Sequence, residues 1–178
     1  MSIQIYILSK LMEENNYPYK LKKQLSEPIP LDRLSGLTES KLYYHFESLV
    51  KQGLVEPVEV IKEEHRPDKI VYAITAKGRE DLPGRIYQLF EDAEKIEDLI
   101  IGIANIKYVD RDKIVGILDR KMKTIEAKWE QLEKFKHEQS EKGNEAVKDF
   151  VAGYIITKKD HTIYWMEELI KRIQTNEL

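Results

Sequence analysis

A mostly α-helical fold carrying one small β-hairpin wing is predicted by three observations. Leu42, Phe46, Leu49 and Val50 recur at +4, +3 and +1, which is a single apolar stripe along a helix. Gly53 follows the last turn, where a left-handed cap suits glycine. Two β-rich runs come next, around Leu54–Ile61 and Ile70–Ile74, separated by the charged tip Lys62–Lys69 with its Pro67-Asp68 pair. From about Ala93 the strand signals stop and helical periodicity takes over. A helix that ends in glycine and leads into a charged-tipped hairpin is the pattern of a winged helix-turn-helix. The expected organisation is therefore an N-terminal winged helix-turn-helix at 1–92 and a C-terminal long-helix dimerisation domain at 93–178.

Each element has a local reason. Ile3–Met12 forms a first helix with Ile7, Leu8, Leu11 and Met12 as its core face, ended by Asn15-Asn16-Tyr17. Pro18 suits the first turn of a second helix, where its missing N–H costs nothing; this helix runs to about Ser26 with Leu21 and Leu25 inward. Pro28-Ile29-Pro30 and Ser35-Gly36 mark a loop, and Thr38 is placed to cap the third helix. Ser40, Lys41, Tyr43, Tyr44, Glu47 and Lys51 fall mainly on that helix's outer face. Ala76–Phe90 reads as a fourth helix, disturbed early by Pro83-Gly84.

Beyond it, Ile96, Leu99, Ile100 and Ile103 make a short helix. Asp110 caps a long one, in which Leu118, Met122, Ile125, Trp129 and Leu132 step by +4, +3, +4 and +3, a heptad seam. Gly143-Asn144 breaks the run. The last helix, Glu145–Gln174, carries Val147, Val151, Ile155, Trp165, Leu169 and Ile173 near one face. Two such helices cannot bury both stripes against each other alone. A homodimer that pairs them across a two-fold axis is expected; the alternative is a monomeric hairpin packed on its own N-terminal domain.

Composition limits the function classes. The 178 residues include no cysteine, which excludes a disulfide framework and thiolate chemistry. The N-terminus lacks the basic start of a secretory signal, and the longest apolar stretch, Leu99–Ala104, is far too short to span a bilayer. A soluble, cytoplasmic protein with no membrane partner is expected. The net charge is −3, and residues 1–92 hold 13 Lys and Arg against 15 Asp and Glu, so any basic surface is a local patch. The four histidines (His45, His65, His137 and His161) have no metal-ligand spacing. With no glycine-rich phosphate loop and no nucleophile–base constellation, neither an enzyme nor a cofactor is expected.

Three segments then carry a resemblance: 17–25 (YPYKLKKQL), 42–56 (LYYHFESLVKQGLVE) and 66–80 (RPDKIVYAITAKGRE). Together they resemble the PadR family of bacterial transcriptional regulators, with Tyr19, Leu42, Tyr43, Gly53, Leu54, Tyr72, Thr75 and Gly78 at the family's motif positions. The tail, including Tyr164-Trp165-Met166-Glu167, is similar to the longer-tailed branch that contains phenolic-acid-responsive repressors. Departures are Tyr17-Pro18 in place of His-Gly, Tyr44 in place of Pro, and a 27–36 loop without Trp. They touch the edge of the DNA face, so operator and effector do not transfer from relatives. The resemblance implies a DNA-binding regulator, acting as a repressor and a homodimer on double-stranded operator DNA.

Candidate DNA contacts follow from the fold. Thr38, Ser40, Lys41, Tyr43, Tyr44 and His45 lie on or before the recognition helix; Tyr19, Lys20 and Lys23 lie on the helix that crosses the phosphate backbone; Arg66 and Lys69 flank the wing tip, beside His65. Glu63, Glu64 and Asp68 weaken that tip patch, and each group also reads as an ordinary solvated face. Trp129, His161 and Trp165 read either as lining for a small planar aromatic effector or as an aromatic cluster in a dimer core. Two other functions stay open: a winged-helix module that contacts a protein partner, and a small-molecule-binding helical protein without DNA binding.

Overall fold

The computed structural model describes residues 2–25, 39–62, 68–138 and 145–178. The chain divides into two compact units, Met1–Val109 and Asp110–Leu178.

In the first unit α1 (Ser2–Glu13) is the central helix, touching the helix at Glu39–Lys51, the hairpin and both helices that follow it. That is why Ile3, Ile5 and Tyr6 are buried along with the expected Ile7, Leu8 and Leu11, while Met12 is only half-buried. Burial on every side leaves its polar atoms to find internal partners. Tyr6 donates its hydroxyl to the Leu21 carbonyl at 2.9 Å, and Ser9 donates to the Tyr6 carbonyl at 2.9 Å. Burial, then the negative charge of Glu13, holds the Tyr6 phenol well above its ordinary range.

Tyr17 is extended at φ −124° and ψ 154°, as a residue before proline must be, and Pro18 opens α2 (Pro18–Gln24). Leu21 and Leu25 are buried, as their spacing requires. The third helix, α3 (Glu39–Lys51), buries Leu42, Phe46 and Leu49 and leaves Val50 half-buried. Gly53 sits at φ +70°, and the Leu54 N–H reaches back to the Leu49 carbonyl at 3.0 Å, closing the helix in a Schellman turn.

The hairpin pairs β1 (Val55–Ile61) with β2 (Lys69–Ile74) antiparallel, Val55 opposite Ile74, with a bulge between Pro57 and Glu59. On the other edge of β2, Tyr72 and Asn16 exchange backbone hydrogen bonds at 2.8 and 3.0 Å, so the turn between α1 and α2 is stitched to the wing. This bridge had no signature in the sequence.

Next, α4 (Ala76–Asp92) is the expected fourth helix and runs unbroken through Pro83. Thr75 caps its start, and the buried Leu82, Ile86, Leu89 and Phe90 hold it across the hydrogen bond that proline cannot donate. Arg85 on this helix bonds Asp81, Gln4 and Gln52, joining α4 to α1 and to the end of α3. The following helix, α5 (Ile96–Ala104), packs on α1 and α4. It fully buries Leu99, Ile101 and Gly102 rather than the Ile96, Ile100 and Ile103 stripe, because Gly102 lies flat against the Phe90 ring. A 3-10 turn (Ile106–Tyr108) follows, and Lys107 reaches Glu13 at 2.8 Å. These contacts place residues 93–109 in the first unit, so the structural division falls after Val109, not at 92.

In the second unit Asp110 accepts from the Lys113 N–H at 3.1 Å and starts α6 (Arg111–Glu138); α7 spans Glu145–Gln174. Arg111 bonds Asn176 and the Leu178 carbonyl, so the start of α6 meets the end of α7. Ile114, Ile117, Leu118, Met166, Leu169, Ile170 and Ile173 are buried. The other end of α7 is not covered: Phe150 is 76% exposed, Tyr154 60% and Val147 53%. Among the described residues no helix is long and apolar enough to cross a membrane.

Candidate nucleic-acid interface

The amphipathic spacing of α3 decides what it presents. With Leu42, Phe46 and Leu49 inward, Lys41, Tyr43, Tyr44, Glu47 and Lys51 are forced outward and are exposed. Tyr44 stands furthest out at 67% exposure. His45 lies between the faces. It is half-buried, its Nδ1 is enclosed without a hydrogen-bond partner, and its ring meets the Tyr44 ring edge-on at 5.3 Å. Burial, reinforced by the Lys41 charge, holds its pKa below the ordinary imidazole value.

On α2, Tyr19 is exposed and the Lys23 ammonium lies 5.1 Å above its ring. Lys20 pairs with Glu14 at 2.7 Å, a partner that the sequence spacing of six did not suggest. Lys69, at the start of β2, places its ammonium 5.4 Å over the Tyr17 ring. The structure brings Tyr19, Tyr43 and Lys69 to the rim of one concavity between α2, α3 and β2. Tyr17, Glu47 and Tyr72 join them there, and the sequence reading did not single these out as site residues. The bridge from Asn16 to Tyr72, which brings the start of α2 to β2, helps to make them neighbours. Thr38, His65 and Arg66 lie outside the described residues; Ser40 lies in the first turn of α3, its side chain outside the description.

The candidate effector residues sit in the second unit. His161 and Trp165 are exposed on α7 with ring centroids 6.4 Å apart, and Tyr164 meets Trp165 edge-on at 5.4 Å. Trp129 is half-buried on α6. Among the described residues no group of His, Cys, Asp and Glu could hold a metal ion.

Residues 7–84 match the transcriptional regulator PadR-like family. No curated protein matches the chain in sequence. Among solved structures, a PadR family regulator from Clostridium difficile R20291 is 20% identical over 49% of this chain and 86% of its own, with a TM-score of 0.41. Bacillus subtilis PadR in complex with operator DNA is 15% identical over 97% of this chain and 99% of its own, with a TM-score of 0.44. The same protein in complex with p-coumaric acid is 15% identical over 98% and 99%, with a TM-score of 0.42.

Proposed function

Residues 7–84 carry the domain of the PadR-like family of transcriptional regulators, and from that premise we propose that the chain is a DNA-binding repressor working as a homodimer on a pseudo-palindromic operator. One observation carries this reading. The outward face of α3 carries Lys41, Tyr43 and Tyr44, and Tyr43 shares one concavity with Tyr19 of α2 and Lys69 of the wing. Those are the three elements with which a winged helix-turn-helix meets DNA: one helix in the major groove, its predecessor across the phosphates, and the wing on the flanking backbone. Lysine donates to guanine or phosphate, and tyrosine hydroxyls reach the backbone. Lys20 and His45 are further candidates, and Thr38, Ser40 and Arg66 are carried over from the sequence reading alone.

The exposed apolar end of α7 supports the dimer. Phe150, Tyr154 and Val147 in water would cost more than a two-fold interface that buries them. Two recognition helices would then read half-sites about one helical turn, ~10 bp, apart or a near multiple. A small aromatic effector held by Trp129, His161 and Trp165 would act by preferring the dimer geometry that mismatches those half-sites. The setting is the cytoplasm, where the operator is.

The test is a fluorescence-anisotropy titration with DNA from just upstream of the chain's own gene, at two salt concentrations. Saturable binding by two chains per site, falling steeply with salt, is the expected result. Binding no tighter than to random DNA, with no salt slope, favours the protein-interaction reading, to which the acidic overall charge already lends weight.

A further inference from the structure

The concavity between α2, α3 and β2 has a volume of about 490 Å³, enough for a ring-sized ligand. Its wall is unusually aromatic. Tyr17 and Tyr19 enter from the start of α2, Tyr43 and Phe46 from α3, and Tyr72 from β2. The Phe46 and Tyr72 rings, 4.8 Å apart and tilted by 42°, form a continuous floor. Aromatic faces carry negative potential, and cations settle on them. One already does: the Lys69 ammonium lies 5.4 Å over Tyr17.

The charged groups on the wall point the same way. Among the described residues that line the cleft, Glu47 and Asp68 supply two carboxylates and Lys69 one ammonium, and the Lys23 ammonium lies over the Tyr19 ring. The Glu47 charge reaches the floor: the Tyr72 phenol is held above its ordinary range by burial and then by the charge of Glu47. An aromatic anion of the same size would meet ring faces and two carboxylates at once. A cation seated on the Phe46–Tyr72 floor would meet ring faces and the carboxylate of Glu47.

We propose that this cleft binds a small organic cation of the aromatic-amine or quaternary-ammonium class. The ligand stacks on Tyr43 and the Phe46–Tyr72 floor, with its positive centre toward Glu47. The same Tyr19, Tyr43 and Lys69 form part of the DNA-facing surface proposed above, so an occupied cleft also excludes DNA from it. That second consequence rests on the DNA reading; the binding itself does not.

The probe is benzyltrimethylammonium, with phenylacetate as its anionic counterpart, titrated calorimetrically into the full chain without DNA. Saturable binding of the cation at one per chain is expected, with no binding of phenylacetate. Glu47→Gln and Tyr43→Ala, both at exposed positions that tolerate substitution, should each weaken it by about fivefold. Absence of saturable cation binding overturns the proposal, as does equal binding of phenylacetate or indifference to both substitutions. The DNA titration, repeated with saturating probe, should show weaker DNA binding. An unchanged complex overturns the exclusion of DNA. Intact cation binding in a chain that forms no DNA complex overturns the DNA reading and leaves the cleft standing.

Discussion

Thr75 ties the end of α3 to the start of α4, the helix beyond the hairpin: its hydroxyl donates to the Gly53 carbonyl at 2.8 Å and accepts from the Gly78 N–H at 3.0 Å. One side chain therefore satisfies a carbonyl at the Schellman turn and an orphan N–H at a helix start. The Thr75 backbone N–H adds a third link, to the Leu54 carbonyl at 3.0 Å. Thr75→Val keeps the shape and removes both hydroxyl bonds. It should cost about 1–2 kcal/mol, read as a lower urea midpoint with an unchanged slope. An unshifted midpoint would show that water replaces the hydroxyl without loss.

The two glycines beside it should respond in opposite order to intuition. In a helix interior alanine is favoured over glycine by about 1 kcal/mol. Yet a Cβ on Gly78 would lie 2.1 Å from the Leu54 carbonyl oxygen, a backbone atom held in place by Thr75. Gly78→Ala should therefore destabilise by about 3 kcal/mol, at the high end for overpacking. Gly53, at φ +70° with open space around it, should cost only about 1–2 kcal/mol as alanine, the price of a left-handed residue. Denaturation of the two variants side by side decides it; Gly53→Ala as the worse variant would contradict the account.

On the surface proposed to face DNA, Lys41→Ala and Tyr43→Ala change exposed side chains and should leave folding and assembly intact. Each should weaken operator binding by roughly tenfold, about 1.4 kcal/mol, and Lys41→Ala should reduce the salt slope by about one. If both variants bind the operator like the parent, α3 is not the reading helix.

The second unit offers a test of assembly. Phe150 is 76% exposed, the largest value among the big apolar residues described. Phe150→Glu should convert a dimer to a monomer in sedimentation velocity while helical content stays the same, because a charge buried at a two-fold axis meets its own copy. A parent chain that sediments as a monomer, or a variant that remains a dimer, would remove this face from the interface.

His45 gives a pH dependence with a definite sign. Burial depresses its folded-state pKa below the ordinary value of 6.5, so the folded chain prefers the neutral ring. As pH falls below 6.5, the unfolded chain takes up a proton that the folded one resists, and stability declines until the folded-state value is passed. The carboxylates act in a separate window. Glu13, held down first by its hydrogen bond to Lys107, loses its contribution only as pH falls below its ordinary 4.5. His45→Gln should therefore flatten the stability difference between about pH 7.5 and 5.5, measured by chemical denaturation. An identical slope in parent and variant would place the titration elsewhere.

Much of this was legible from residue order, because helix stripes, caps and turns are local. The Leu42–Phe46–Leu49 stripe, the Gly53 cap, the two strands, the Asp110 cap and the Glu145–Gln174 helix all appear where spacing and turn chemistry put them. So does the outward set Lys41, Tyr43 and Tyr44, since fixing one helix face fixes the other. What spacing could not decide depends on contacts between distant segments. Pro83 reads as a disturbance of its helix until four buried side chains are seen to hold it. The Ile96–Ala104 helix reads as the start of the second domain until Gly102 meets Phe90. His45 reads as an outward residue until its Nδ1 is found enclosed. The aromatic cleft is helped together by the pairing of Asn16 with Tyr72, 56 positions along the chain, and no periodicity within either segment records that pairing. Sequence alone settled the elements and their faces, which short-range sterics and hydrogen bonding dictate; the tertiary fold decided which faces meet, because that depends on packing between side chains the chain order keeps apart.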